Sequence, residues 1–169
     1  MKPLVSIIMG STSDLPVLRK AAEFLDTMEI PFEMNALSAH RTPQKVEEFA
    51  TNAHERGVKV IIAAAGMAAA LPGVIAAMTS LPVIGVPLDA SSFGGNDALF
   101  SIVQMPPGVP VATVGVNAAM NAAVLACRIL ALTDKDIAKK MDAFRHGLAK
   151  KIEKANAELA EICYKYKTN

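Results

Sequence analysis

The sequence predicts an α/β fold in which helices cover both faces of a parallel sheet. Short apolar runs alternate with segments whose apolar residues recur at helical spacing, which is typical of repeated strand–helix units. Two of these runs, residues 4–9 and 58–64, are rich in valine and isoleucine, as strands buried on both faces are. Of the 169 residues, 52% are hydrophobic and 20% are charged, enough apolar surface to form a core. We expect one domain over residues 1–169.

The predicted elements alternate from strand to helix along the chain. Apolar runs predict strands at residues 4–9, 31–37, 58–64, 82–86 and 110–116. Helical spacing or a helix-opening proline predicts helices at residues 15–29, 43–56, 71–78, 96–104 and 117–132. The second helix has the clearest boundaries, because Pro43 suits a first turn, Thr42 is the expected N-cap and Gly57 ends the helix.

The last segment departs from this alternation and predicts one long helix. Thr133 and Asp136 have the spacing of a capping box, with aspartate in place of glutamate, and apolar residues then recur at steps of three and four as far as Tyr166. A helix over residues 134–166 would be roughly 50 Å long, more than the diameter of a small domain. We expect this helix either to pack on neighbouring subunits or to bend near Gly147.

Charged residues are unevenly placed along the chain. Every lysine and arginine lies before Val60 or after Cys127, and Asp89 and Asp97 are the only charged residues between them. A large sheet with covered faces would account for part of this uncharged segment. We favour the interpretation that much of the segment also packs against other subunits, so the chain is expected to form a homo-oligomer.

The composition disfavours several classes of protein. The 17 basic and 16 acidic residues give a net charge of +1, without the basic excess of a nucleic-acid binder. Cys127 and Cys163 form no CxxC or Cys/His cluster, which predicts neither a zinc site nor a disulfide framework and favours a reducing compartment. Glycines and prolines interrupt the uncharged stretch 60–88, and the N-terminus has no signal-peptide pattern. We expect a cytoplasmic protein without a membrane span.

The loop that follows the first strand predicts an anion site. Ligands of parallel sheets bind at the carboxyl ends of the strands, so the loops after the strands are the candidate functional segments. The first of them, Gly10 to Asp14, carries three hydroxyl residues where a helix begins, and free N–H groups at a helix start bind phosphate. The alternative is plain helix capping by Ser13 or Asp14. The loop matches neither the Walker pattern nor GxGxxG.

The second loop, residues 38–43, contains the best candidate for proton transfer. His40 is the only histidine in a predicted strand-end loop, whereas His54 and His146 fall on predicted helices. Its neighbour Arg41 could bind a phosphate or carboxylate with two hydrogen bonds. A histidine beside it can exchange protons near neutral pH, although a lone loop histidine is often an ordinary surface residue.

The third and fourth loops contribute little side-chain chemistry. Residues 63–73 offer backbone N–H groups and close approach to a flat ligand. Residues 87–97 contain Gly-Gly and Ser-Ser pairs that suggest a flap or an interface loop, and Asp97 is expected to cap the next helix. No nucleophile–base pair or metal cluster is visible. Proton transfer on a phosphorylated small molecule is therefore the predicted class of chemistry.

In this order, the loops resemble those of class I PurE, the N5-carboxyaminoimidazole ribonucleotide mutases of purine biosynthesis. The resemblance extends from residue 4 to about residue 132, and the stretches that carry it are IIMGSTSD, SAHRTP, KVIIAAAG, ALPG, PVIGVP and SIVQMPPGVPV. It implies a three-layer, flavodoxin-like fold, an octamer, and a reaction without cofactor or metal. It also implies transfer of a carboxylate from the exocyclic nitrogen to C4 of the imidazole.

The resemblance implies a role for each site residue. His40 would be the general acid/base, delivering a proton as carbon dioxide departs and removing one from the ring carbon afterwards. Ser11, Asp14 and Arg41 would bind the ribonucleotide, with Ser13 and Ser38 lining the same site. The full expected substrate-binding set is Ser11, Ser13, Asp14, Ser38, Ala39, Arg41, Gly66, Ala70 and Leu71. The uncharged third loop would hold carbon dioxide and exclude water.

The chain departs from the class I pattern at three places. Most class I sequences have histidine where Ala70 stands, glycine where Met67 stands, and a longer GKAG turn in place of residues 116–119. His40 is thus the sole histidine candidate. Class II relatives, which carboxylate aminoimidazole ribonucleotide directly, tend to have lysine at the position of Arg41 and a polar third loop, and this chain has neither. The alternatives are a direct carboxylase, a non-catalytic nucleotide-binding module and, less favoured, a flavodoxin-type electron carrier.

Overall fold

The computed structural model describes residues 1–169 and contains five strands and six α-helices. The strands are β1 (Val5–Met9), β2 (Phe32–Ala36), β3 (Val60–Gly66), β4 (Val83–Leu88) and β5 (Ala112–Thr113). The helices are α1 (Leu15–Thr27), α2 (Pro43–Arg56), α3 (Ala70–Met78), α4 (Asn96–Val103), α5 (Ala119–Ala131) and α6 (Lys135–Ala160). A short 3-10 turn, Thr12–Asp14, leads into α1.

The five strands form one parallel sheet in the order β2-β1-β3-β4-β5. Val5 of β1 lies opposite Phe32 on one side and Val60 on the other. The connections run one way from β1 to β2 and the other way from β3 onwards, which is the flavodoxin-like order with its switch point between β1 and β3. The predicted α/β fold class is confirmed.

Alternating side chains of the central strands build two separate cores. Ile7 faces a core that includes α1 and α5, whereas Ile8 faces a core formed with α2, α3 and α4. Both isoleucines are fully buried. Because the side chains of a strand alternate between faces, one strand supplies both layers of contact. Helices therefore cover both faces of the sheet, in three layers.

The first half of α6 packs on the chain's own core. Ile137 and Met141 are buried, and the ring of Phe144 meets that of Phe24 edge to face, with ring centroids 5.0 Å apart. Lys140 donates to the carbonyl of Met28, 2.9 Å away, and also forms an ion pair with Glu29, the next residue along the chain. The predicted long C-terminal helix is confirmed.

The second half of α6 continues without a break through Gly147, so the helix does not end or split where the sequence suggested a bend. It has 26 residues, about 39 Å at 1.5 Å per residue, and ends at Ala160 rather than near Tyr166. Leu148, Ile152 and Leu159 on this half are 46%, 64% and 53% exposed. The distal half thus carries an apolar stripe that its own chain leaves uncovered.

Besides the C-terminal end of α6, three further predicted boundaries are wrong, each for a local reason. The N-cap of α6 is Asp134, whose carboxylate accepts from the N–H groups of Asp136 and Ile137, and not Thr133. The last strand shrinks to two residues, because it lies at the edge of the sheet and pairs with β4 at only two positions. α5 begins two residues late, because Asn117 has a left-handed backbone with φ of 56°.

The uncharged central stretch folds as β3, α3 and β4, as its glycines and prolines predicted. No helix of the chain has both the length and the apolar composition needed to cross a membrane. Both cysteines are free: Cys163 is exposed, and burial raises the pKa of the Cys127 thiol to about 11. Cys127 therefore remains a protonated, unreactive thiol at neutral pH.

Candidate active site

A pocket of about 290 Å³ opens at the carboxyl edge of the sheet, at the switch point between β1 and β3. Loops that follow four successive strands form its walls. The lining residues are Gly10, Ser11, Ser13, Asp14, Ser38, Ala39, His40, Arg41, Ala65, Gly66, Met67, Ala69, Ala70, Leu71 and Ala90. Crevices at this position of open α/β sheets are where such folds bind ligands.

The loop after β1 is fixed by a reciprocal pair of capping bonds. The Ser11 hydroxyl accepts from the N–H of Ser13 at 3.3 Å, and the carboxylate of Asp14 accepts from the N–H of Ser11 at 3.2 Å. The Ser13 hydroxyl donates to the other Asp14 oxygen at 3.2 Å. Capping therefore involves Ser11 and Asp14, whereas the sequence suggested Ser13 or Asp14. The same three side chains line the pocket, so capping and ligand binding are compatible here.

The loop after β2 is closed by Ser38 and Thr42. The N–H of Ser38 donates to the Thr42 hydroxyl at 3.0 Å, and the N–H of Thr42 donates to the Ser38 carbonyl at 2.8 Å. Thr42 stands at the N-cap of α2 as predicted, but its hydroxyl makes no capping bond to the helix. The Thr42 hydroxyl bonds to the backbone of Ser38 instead, so the residues between them lie in a loop closed by hydrogen bonds.

Arg41 joins the first two loops across the pocket. Its guanidinium donates to the carbonyl of Gly10 at 2.9 Å and to the Ser38 hydroxyl at 3.4 Å. The side chain is exposed, and a guanidinium has five N–H donors, so most of its donors remain available to an anion. Arg41 is therefore both a tie between loops and a basic group at the mouth of the pocket.

His40 lies on the rim, exposed, and its imidazole takes part in none of the side-chain hydrogen bonds that fix the neighbouring loops. A free imidazole at this position can reach a ligand from several directions. His54 and His146 lie exposed on α2 and α6, outside the pocket lining. No group of three or more His, Cys, Asp or Glu side chains is close enough to hold a metal ion.

The loop after β3 forms an uncharged floor. A Cβ on Gly66 would lie 2.6 Å from the Cβ of Ala90, so the loops after β3 and β4 touch there without room for a side chain. Ala69 is the N-cap of α3, in a left-handed conformation, and no side chain caps that helix. The polar groups that the floor offers are thus the first backbone N–H groups of α3, which include those of Ala70 and Leu71.

The loop after β4 contributes only Ala90 to the pocket. Asp97 was expected to cap α4, but its carboxylate accepts from the Ser91 hydroxyl at 2.7 Å and its second oxygen is buried without a partner. The N–H of Asp89 donates to the side-chain oxygen of Asn117 at 3.1 Å. This bond ties the loop to the connection between β5 and α5.

The structure brings all ten site residues singled out from the sequence to this one pocket. Five lining residues were missed: Gly10, Ala65, Met67, Ala69 and Ala90. All five lie within the four strand-end loops that the sequence marked, where glycine, alanine and methionine give no side-chain signal. Ala90 reaches the pocket through a contact between distant loops, which spacing along the chain does not reveal.

Fold and site together define an α/β protein of flavodoxin-like order, with a small-molecule pocket that combines a basic residue, a free histidine and an uncharged floor. The chain belongs to the AIR carboxylase family, whose model matches residues 4–151. The resemblance to PurE is confirmed.

Several named proteins are similar to the chain over most of its length. The chain is 51% identical over 161 residues to the N5-carboxyaminoimidazole ribonucleotide mutase of Pyrococcus horikoshii, covering 95% of this chain and 91% of that one. It is 52% identical over 163 residues to the enzyme of that name from Thermotoga maritima, covering 96% and 95%. The crystal structure of Treponema denticola PurE2-S38D superposes with a TM-score of 0.86 at 34% identity, covering 94% and 99%.

Proposed function

We propose that this chain is an N5-carboxyaminoimidazole ribonucleotide mutase of purine biosynthesis, acting in the cytoplasm as a single domain. The observation that carries the proposal is the pocket, which sets a free histidine and a basic residue above an uncharged floor. The similarity to mutases over almost the whole chain supports it.

The phosphate end of the ribonucleotide binds between the first two loops. The hydrogen bonds of the Ser11 hydroxyl and the Asp14 carboxylate hold the first loop in place. The hydroxyls of this loop therefore line the pocket in a defined position, where a ligand can bind them. Arg41 reaches the same loop from the second and keeps donors free for the anion. Ser13 and Ser38 complete the polar side of the pocket.

The base end lies toward the floor, where His40 acts as general acid and then as general base. As an imidazolium it gives a proton to the exocyclic nitrogen while the N–C bond breaks and the bonding pair stays on nitrogen. Ring carbon C4 then attacks the released carbon dioxide and forms a C–C bond. The neutral imidazole takes the proton from C4, which restores the aromatic ring and the imidazolium.

Carbon dioxide must remain in place between these two steps. The floor residues Gly66, Ala70 and Leu71 carry no charge and no side-chain hydrogen-bonding group, so they exclude water without competing for the ring. With alanine at position 70, no second titratable side chain stands on this wall. His40 therefore carries both proton transfers.

Two parallel assays without ATP test this function. One offers N5-carboxyaminoimidazole ribonucleotide, and the other offers aminoimidazole ribonucleotide with bicarbonate. We expect rapid conversion to the 4-carboxy product in the first assay only. Conversion mainly in the second would identify a direct carboxylase of the same fold, and ligand binding without conversion in either would identify a nucleotide-binding module.

The role of His40 is tested by His40→Asn. We expect turnover to fall by about 10²- to 10⁴-fold, the usual contribution of a general acid/base, while substrate binding changes little. His54→Asn is the matched control, because His54 is also exposed but lies on α2 outside the pocket. Turnover that survives His40→Asn would remove the histidine from the mechanism.

The role of Arg41 is tested by comparing the ribonucleotide with its nucleoside. Hydrogen bonds to charged groups contribute roughly 1.5–3 kcal/mol, so Arg41→Ala should weaken ribonucleotide binding by about 10- to 150-fold. Nucleoside binding should change far less, and Arg41→Lys should restore part of the loss, since it keeps the charge but not the planar fork. Calorimetry measures both ligands, and equal losses would place Arg41 away from the phosphate.

We also propose that the chain assembles as a homo-octamer. The uncovered apolar stripe on the distal half of α6 supports assembly, because a row of exposed apolar residues such as Leu148, Ile152 and Leu159 marks a surface that packs against another. Phe93, Phe100 and Val103 in the uncharged central segment are exposed as well and support it in the same way. Sedimentation velocity of the purified chain measures the number of subunits.

A further inference from the structure

Met67 combines two features that each disfavour methionine at its position. Its backbone is left-handed, with φ of 56°, a conformation that β-carbon-bearing residues rarely adopt. Its side chain is 59% exposed although it is large and apolar. The other left-handed residues outside glycine have a local reason: Glu29 lies just past the end of α1, where this backbone is common, Asn117 tolerates the region, and Ala69 is small. Strain that persists in a pocket wall points to a function for the side chain.

The backbone of Met67 is held firmly while its side chain is free. The turn that carries it is closed by the N–H of Ala69 donating to the carbonyl of Gly66 at 3.0 Å. Gly66 in turn packs closely against Ala90, so the loop after β4 supports this turn on one side. Methionine has three rotatable side-chain bonds and a polarisable sulfur, so it adapts to the shape of a ligand.

The position of Met67 suits one need of the reaction. Met67 belongs to the uncharged floor of the pocket, which the loop after β3 forms. His40 belongs to the loop after β2. Carbon dioxide carries no net charge and donates no hydrogen bond, so charged groups cannot hold it as they hold phosphate. An apolar side chain that closes over the ring can keep it there.

We propose that Met67 folds over the bound imidazole and retains the carbon dioxide released in the first step until C4 attacks it. This inference rests on the proposed mutase function. The side chain makes no bond and moves no proton. It lowers the rate at which carbon dioxide escapes relative to the rate at which it is recaptured.

Isotope exchange tests retention directly. N5-carboxyaminoimidazole ribonucleotide is converted in ¹³C-bicarbonate, with carbonic anhydrase present to keep dissolved carbon dioxide labelled, and the product is analysed by mass spectrometry. With the unaltered chain we expect the product to keep the substrate's own carbon. With Met67→Gly we expect a several-fold rise in labelled product and accumulation of aminoimidazole ribonucleotide.

Met67→Gly is suited to this test because glycine adopts the left-handed backbone freely, so the variant should fold at least as stably. Met67→Leu is the matched control: it keeps the apolar bulk and should retain the carbon. Met120→Leu, at an exposed methionine outside the pocket, should behave like the unaltered chain.

The outcomes separate the two proposals. If the Met67→Gly variant converts the substrate and its product keeps the substrate's own carbon as completely as with the unaltered chain, Met67 does not retain carbon dioxide. The same conclusion follows if the folded variant binds substrate but neither releases aminoimidazole ribonucleotide nor forms product. If the unaltered chain itself fails to convert the substrate, the proposed function fails instead.

Discussion

Gly66 marks the closest approach between two walls of the pocket, and this contact sets a limit on the residue. A Cβ there would lie 2.6 Å from the Cβ of Ala90. Gly66→Ala should therefore force the loops after β3 and β4 apart, at a cost of roughly 1–3 kcal/mol, and lower kcat/KM. Steady-state kinetics and urea unfolding measure the two effects.

A second substitution shows whether the contact itself is responsible. Adding Ala90→Gly to Gly66→Ala removes the opposing carbon and should restore most of the activity. Gly147→Ala is the control, because a Cβ at Gly147 meets nothing within 4 Å. Activity that stays low in the double variant would locate the damage elsewhere.

Individual site residues were predictable to the extent that their own chemistry revealed them. The hydroxyls of Ser11 and Ser13, the charge of Arg41 and the imidazole of His40 stand out in a strand-end loop. Ala90 does not, because its place in the pocket depends on contact with Gly66, 24 residues earlier in the sequence. The bond from Arg41 to the Gly10 carbonyl was likewise hidden, since it depends on how two loops approach in space.

At the scale of the elements, the N-terminus of α6 offers a test of which residue caps it. Asp134 accepts from two backbone N–H groups, whereas the Thr133 hydroxyl donates to the Leu130 carbonyl at 3.4 Å. Asp134→Ala should lower the free energy of unfolding by about 1 kcal/mol, and Asp134→Asn should retain most of it. Thr133→Ala should change it less. Urea unfolding compares the three, and a larger loss at Thr133 would contradict the observed cap.

The same scale shows why some elements were predictable and others not. β1 and β3 are buried on both faces, so their apolar runs identify them without knowledge of their partners. β5 has two ladder residues because its length is set by pairing with β4, which the sequence of the strand does not encode. The start of α5 depends on the left-handed backbone of Asn117, which is fixed by its bonds to the end of β4.

At the scale of the whole molecule, the first half of α6 packs on the chain's own core, whereas the second half carries the exposed apolar stripe. Removing everything after Leu132 would strip Ile137, Met141 and Phe144 from the chain's own core and unfold part of it. A cut after His146 keeps that packing and removes the exposed stripe. We expect the shorter chain to stay folded by circular dichroism and to sediment as a smaller species. An unchanged assembly would mean that the distal half is peripheral.

The strand order has a consequence for how the protein is made. β1 lies inside the sheet, yet it leaves the ribosome before the other four strands, and both of its neighbours are synthesised after it. Apart from Ala90, the residues around the pocket lie between Gly10 and Leu71, so a nascent chain just past Ala90 already encodes the entire site. It still lacks α5, which covers one face of β3 and β4. During translation all residues of the pocket are therefore present while one face of β3 and β4 is still uncovered, and this exposed apolar face is prone to aggregation until α5 has been made.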